Sequence, residues 1–166
     1  SGFSYIVSAK ARDRVGNEQS VFVAGESSNT FQYEADAPSS LVTSISSGAI
    51  YREIALISGT ADDQGLLSNI SLVELQIRDF NINNIEDGDD AYWNGTSWIA
   101  STYVAVNFVG GASGTWSYTN IPAFTGGRTY RLSVRARDAG CNQESDKPGP
   151  IFKVDKTSPT ASIPKS

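Results

Sequence analysis

The chain has 166 residues, 39% of them hydrophobic and 19% charged, the composition of a folded domain rather than a disordered one. Its formal net charge of −5 argues against nucleic acid or an anionic membrane surface as partner, and no apolar run approaches the roughly 18 residues that span a bilayer. With no histidine and a single cysteine, a serine triad, an internal disulfide and a CxxC metal site are all excluded.

In chain order, residues 5–11 alternate apolar and polar and read as a half-buried strand, with Lys10 pointing outward. Residues 31–35 read as a second strand, and 41–46 and 54–60 as the next two. Ser71 to Asp79 places Val73, Leu75 and Ile77 inward and Glu74, Gln76 and Arg78 outward. Residues 102–108 and 114–119 follow. Then Tyr130, Leu132, Val134 and Ala136 share one face, with Arg131, Arg135 and Arg137 largely exposed on the other. Residues 150–155 close the series. Turn signals separate these runs at Asp87-Gly88, Asn94-Gly95, Gly110-Gly111, Gly126-Gly127 and Pro148-Gly149-Pro150. No segment carries a helical stripe. Short strands punctuated by turns predict an antiparallel β-sandwich.

The beginning of the chain reappears near its end. Gly2-x-x-Tyr5-x-Val7-Ser8-x-Lys10-Ala11-Arg12-Asp13 returns as Gly127-x-x-Tyr130-x-Leu132-Ser133-x-Arg135-Ala136-Arg137-Asp138, and Asn17 matches Asn142. Phe31 to Pro38 matches Phe152 to Pro159. Self-similarity at a fixed period marks an array of like modules. The expected division is the last two strands of a preceding repeat in residues 1–36, a complete repeat in 37–157, and a linker with the start of another in 158–166. Two strands alone are marginal in water. Residues 1–36 therefore either pack on the complete repeat or complete a sheet in another chain, which would link subunits head-to-tail into a filament.

The run from Gly127 to Asp138 resembles strand F of fibronectin type III domains and of related bacterial immunoglobulin-like repeats. Ala11-Arg-Asp-x-x-Gly-Asn17 resembles the turn after that strand in repeats of large bacterial surface proteins. Ile57-Ser-Gly-Thr-Ala-Asp62 resembles their second strand, and Asp36-x-Pro38 and Asp155-x-x-x-Pro159 resemble their linkers. The resemblance implies an all-β, immunoglobulin-like or fibronectin type III-like sandwich. Tyr130 would form a tyrosine corner, and Tyr5, Asp13, Asn17, Asp138 and Asn142 would be structural. It also implies a non-catalytic spacer or adhesive module at an extracellular cell surface, with neighbouring repeats and a host protein or glycan as partners. The second copy has Gly140-Cys141-Asn142 where the first has Val15-Gly16-Asn17, so a different turn is expected there.

Two groups of residues carry candidate chemistry. The acidic segment 83–90, with Asp87, Asp89 and Asp90, reads either as a solvated loop or as a calcium site, since it offers the hard oxygens on a loop that calcium requires, although its spacing is not that of an EF-hand. Asp62 and Asp63, with Glu34 or Asp155 near the linkers, would form a second calcium site between modules. The aromatic group Tyr92, Trp93 and Trp98, with Trp116 and Tyr118 behind it, would stack on sugar rings in a carbohydrate-binding module of a secreted glycosidase. Alternatively Trp93 and Trp98 form a cross-strand pair flanking Asn94-Gly95, a two-residue hairpin signal. Asn94-Gly-Thr96 and Asn69-Ile-Ser71 match the glycosylation tripeptide, a short and common pattern. An isopeptide bond needs a buried lysine, which Lys10 is not. Cys141 has no histidine to activate it and reads as a tolerated turn residue. Nothing resembles a phosphate-cradling loop, and the chain reads as non-enzymatic.

Overall fold

The computed structural model describes residues 2–64 and 68–161. The expected start of a third repeat therefore lies largely outside the described residues. Among the described residues there are thirteen strands: β1 (Phe3–Ser8), β2 (Ser28–Tyr33), β3 (Ser39–Val42), β4 (Ile50–Tyr51), β5 (Ile57–Asp62), β6 (Ile70–Asp79), β7 (Ala91–Trp93), β8 (Trp98–Ile99), β9 (Val104–Ala105), β10 (Asn107–Gly110), β11 (Ser113–Tyr118), β12 (Thr129–Asp138) and β13 (Ile151–Val154). No helix occurs among the described residues, so none is long and apolar enough to cross a membrane.

Residues 39–154 form two sheets that share one core, the arrangement of a β-sandwich. One sheet runs β10-β11-β5-β3, antiparallel throughout. The other runs β4-β13-β12-β6-β7-β8, with β9 also on β6, and its single parallel contact is β4 on β13. The period-two pattern decides which residues enter the core. Tyr130, Leu132, Val134 and Ala136 of β12 and Val73, Leu75 and Ile77 of β6 are all at most 4% exposed, as their alternation requires. Ile57 and Trp116 meet them from the facing sheet, and Phe124, Phe152 and Val154 close the end. Trp116 lies directly over Gly59, its cross-strand partner. A Cβ at Gly59 would stand 2.6 Å from the indole and 1.8 Å from the Leu41 carbonyl oxygen, so only glycine admits both.

The outer face of β12 departs from expectation. Arg137 is exposed, but Arg131 and Arg135 are half-buried and Ser133 is buried. The excursion between β6 and β9 folds back over this face. Arg135 lies 3.8 Å from the Tyr103 ring centroid and bonds Glu74 and Asp146. Arg131 pairs with Glu86 and lies over Phe80. Alternation fixes which way a side chain points, but not whether a loop then covers it.

β1 and β2 form a separate two-stranded sheet that reproduces the register of the β12–β13 hairpin over its three pairs. Tyr5 pairs with Phe31 as Tyr130 pairs with Phe152, and both couples stack, at 5.5 and 5.6 Å. The Gly2 amide donates to the Tyr33 carbonyl as that of Gly127 does to Val154, with φ of 80° and 83°. The turn after each first strand is also the same, which corrects the expectation of a different one. Asn17 donates through its backbone and side-chain amides to Asp13 at 2.9 and 2.7 Å, and Asn142 to Asp138 at 2.8 and 2.9 Å. Gly16 takes φ 99° and Cys141, at the equivalent place, takes φ 71°. The hydrogen bonds to the aspartate impose a left-handed residue there, and the cysteine accepts the strain.

Candidate functional site

The two copies differ in what covers them. In β12 and β13, Tyr130 and Phe152 are fully buried; in β1 and β2, Phe3, Tyr5, Val7, Phe31 and Tyr33 are 45–68% exposed. The hairpin thus presents one face of a core without the facing sheet.

Where this hairpin leads into the sandwich, three carboxylates converge. Glu34 follows β2, Asp63 follows β5 and Asp138 ends β12, and one oxygen from each lies within 4.8 Å of the others. Asp63 and Asp138 are each 1% exposed. Asp138 is held by the two Asn142 bonds described above, and Asp63 accepts a bond of 2.7 Å from the Ser68 hydroxyl. The Asn142 side-chain amide also reaches the Glu34 carbonyl at 3.5 Å, tying the linker to the turn. Both Glu34 carboxylate oxygens are buried and, among the described residues, have no hydrogen-bond partner. An open groove of about 600 Å³, lined by Tyr33, Glu34, Ser68, Asn69, Ala139 and Gly140, runs beside them.

The structure brings only part of the expected junction set together. Asp63 meets Glu34. Asp62 is exposed and its backbone pairs with Ser39 and Ser113, because alternation turns it away from its neighbour. Asp155 lies beyond β13, where it is exposed and its carboxyl, lowered by hydrogen bonds from Thr157, caps the turn. Asp138 is the member that sequence reasoning took only as a turn residue. Burial of the strand end beneath the linker, which pattern alone does not report, is what recruits it.

The acidic loop also gathers its carboxylates, with Asp87, Asp89 and Asp90 mutually within 4.8 Å. Arg78 already occupies this cluster. It pairs with Asp90 at 2.6 Å and Glu86 at 2.5 Å and donates to the Asp87 carbonyl at 2.8 Å. A side-chain hydrogen bond from Asp89, joined by the Asp89 amide and the Asn83 side chain, holds the Asp87 carboxyl below the usual range, while Asp89 is raised by that hydrogen bond to Asp87. The loop is fastened to the sheet by a guanidinium on β6, with Asp87 and Asp89 left in solvent.

Of the aromatic residues, Trp93, Trp98, Trp116 and Tyr118 face the core, whereas Tyr92 lies on the opposite face. Trp93 and Trp98 are cross-strand partners with centroids 5.6 Å apart and planes tilted by 58°, so they are not coplanar. Trp93 donates its indole N–H to the Tyr118 hydroxyl and the Asn120 carbonyl, both at 3.0 Å, and Trp98 packs toward Tyr130. Tyr92 lies against Arg78, and Trp116 and Tyr118 are buried. The turn between the tryptophans takes four residues, 94–97, rather than two. The Asn94 side-chain oxygen accepts from the amides of Thr96 and Ser97 and widens the loop. Cys141 is free and exposed, and Lys10 is exposed beside Glu18.

A buried carboxylate not foreseen from sequence clamps the two sheets. Glu144 accepts from the Ser40 amide at 3.1 Å, the Ser40 hydroxyl at 2.5 Å and the Ala136 amide at 3.1 Å, and pairs with Lys147. Its counterpart Gln19 accepts from the Ala11 amide at 3.4 Å. The repeat held this signal, since Gln19 and Glu144 stand at matching positions.

No family model matches this chain, and no curated protein matches it.

Proposed function

We propose that the protein is a non-catalytic, immunoglobulin-like structural module that works in tandem with neighbours of its own kind, as spacer and loop-presenting surface of an extracellular protein. The observation that carries this reading is the β1–β2 hairpin, which has the register of β12–β13 but leaves its core face open. The open face is what the end of a preceding repeat would present.

Strand order supports the immunoglobulin-like part of the reading. Taking β3, β5, β6, β10, β11, β12 and β13 as strands A, B, C, D, E, F and G, one sheet contains A, B, E and D and the other C, F and G. The Tyr130 hydroxyl accepts from the Thr125 amide at 2.8 Å and faces its carbonyl at 3.4 Å, the tether of a tyrosine corner. The extracellular assignment rests on the likeness of the Ala11–Asn17 turn to bacterial surface repeats. The test is to stretch the native polypeptide by single-molecule force. Equal unfolding steps near 40 nm are expected, about 120 residues at ~3.4 Å each. Irregular steps, or one short step, would reject the array.

The same open face favours a second reading, in which another copy of the chain covers it and subunits join into a filament. Sedimentation equilibrium separates the two: concentration-dependent association that Tyr5→Ser abolishes supports the filament, and a monomer at all concentrations removes it.

A further inference from the structure

We propose that Glu34, Asp63 and Asp138 bind a divalent cation, calcium by the chemistry of the site, and that this ion fastens the linker after β2 to the end of the sandwich. The proposal concerns contacts within this chain and does not depend on the array reading above.

Three observations carry it. The first is convergence, with one oxygen from each carboxylate inside 4.8 Å. Burial is the second: Asp63 and Asp138 are 1% exposed, and like charges in that setting need a counter-charge. Among the described residues, no lysine or arginine pairs with Glu34 or Asp138, whereas the acidic loop at Asp90 has Arg78. The third is Glu34 itself. Its two carboxylate oxygens are shielded from solvent and lack any hydrogen-bond partner among the described residues, and one of them joins the cluster. A glutamate with nothing to gain from protein donors would leave for water unless something at the cluster repays its desolvation.

The ligands are all hard oxygens, which excludes the metals that seek sulfur or imidazole and leaves calcium or magnesium. Calcium is the better fit. It accepts six to eight oxygens in irregular geometry, so three carboxylates on three separate segments, completed by water from the adjoining groove, can serve it. Magnesium demands a near-ideal octahedron, which such segments do not present. Asn142 would act as positioning residue, since its two bonds orient Asp138 and its third contact holds the Glu34 backbone.

The first copy provides an internal comparison. Asp13 has the same two bonds from Asn17 but, among the described residues, does not gather a second and third carboxylate, and it is exposed. The aspartate is therefore buried only where a linker glutamate and the residue after β5 join it. Asp155, the counterpart of Glu34, stands at the other end of the sandwich with no such partners.

The experiment is calorimetric titration of the metal-stripped chain with calcium chloride, and separately with magnesium chloride, followed by thermal melts. One calcium bound per chain with a rise in melting temperature is expected, with magnesium weaker on the order of tenfold or more. Glu34→Gln removes a ligand from a linker outside the core, so the sandwich still folds. It should weaken calcium binding by about tenfold or more, while Asp89→Asn should leave it unchanged. Absence of any calcium response in the parent chain, a response untouched by Glu34→Gln, or loss of binding in Asp89→Asn instead would each overturn the proposal.

Discussion

Phe31 and Phe152 occupy the same position in the two copies of the hairpin, and truncating each to alanine should have sharply different consequences. Phe152 is fully buried, and its ring contacts those of Tyr51, Phe124 and Tyr130 at centroid distances of 5.9, 5.6 and 5.6 Å. Removing it forfeits a transfer free energy of about 2.5 kcal/mol, and the cavity left among rigid aromatics adds about 1–2 kcal/mol more. Phe152→Ala should therefore destabilise by about 4 kcal/mol, a fall of roughly 15 °C in melting temperature for a domain of this size. Phe31 is 51% exposed and stacks only on Tyr5. Solvent fills the gap it leaves, so Phe31→Ala should cost about 1 kcal/mol at most, confined to the hairpin. Urea unfolding followed by tryptophan fluorescence makes the distinction, because all three tryptophans, at 93, 98 and 116, lie in the sandwich. The Phe152→Ala midpoint should drop and the Phe31→Ala midpoint should stay at the parent value. Equal losses would refute the reasoning, since Phe31 would then be packed in solution as tightly as its counterpart.

Gly59→Ala should lower stability by about 3 kcal/mol, because the new methyl group meets the Leu41 carbonyl at 1.8 Å as well as the Trp116 ring; a urea midpoint equal to that of the parent would contradict the close approach. Cys141→Gly should stabilise by about 0.5–1 kcal/mol through release of the positive φ, whereas Cys141→Val should destabilise, both read from thermal melts. Burial, aided by Asp146, pushes the Tyr103 hydroxyl up to about 12. Its folded value exceeds the unfolded 10.0, so its contribution to stability is complete below that pH and is lost as pH rises toward about 12. Ultraviolet titration should show a tyrosine ionising in that late range, and Asp146→Asn should advance it. The Asn17 bonds hold the Asp13 carboxyl below 3.8, so the stability it lends is present above that pH and is lost as pH falls through the lowered value. Carboxyl chemical shifts should place the Asp13 midpoint below that of Asp13 in an Asn17→Ala chain.

Much of this protein is decided locally and so was legible in one sequence. Alternation placed Tyr130, Leu132, Val134, Val73, Leu75 and Ile77 in the core, because a strand's side chains have only two directions to take. The match of residues 2–38 to 127–159 announced two like hairpins, although it did not foresee that both carry the same Asp–Asn turn. That chemistry is strong enough to force Cys141 into the conformation of Gly16. What tertiary structure alone decided depends on residues far apart in the chain. The cover over Arg131 and Arg135 comes from the path of the excursion after β6. The clamp from Glu144 to Ser40 joins strands in different sheets. The junction of Glu34, Asp63 and Asp138 needs the ends of three segments to meet at one place. Alternation separated Asp63 from Asp62, yet only the packed linker could bring Asp138 to it, since burial and charge proximity are properties of the assembled surface and leave no period in the sequence.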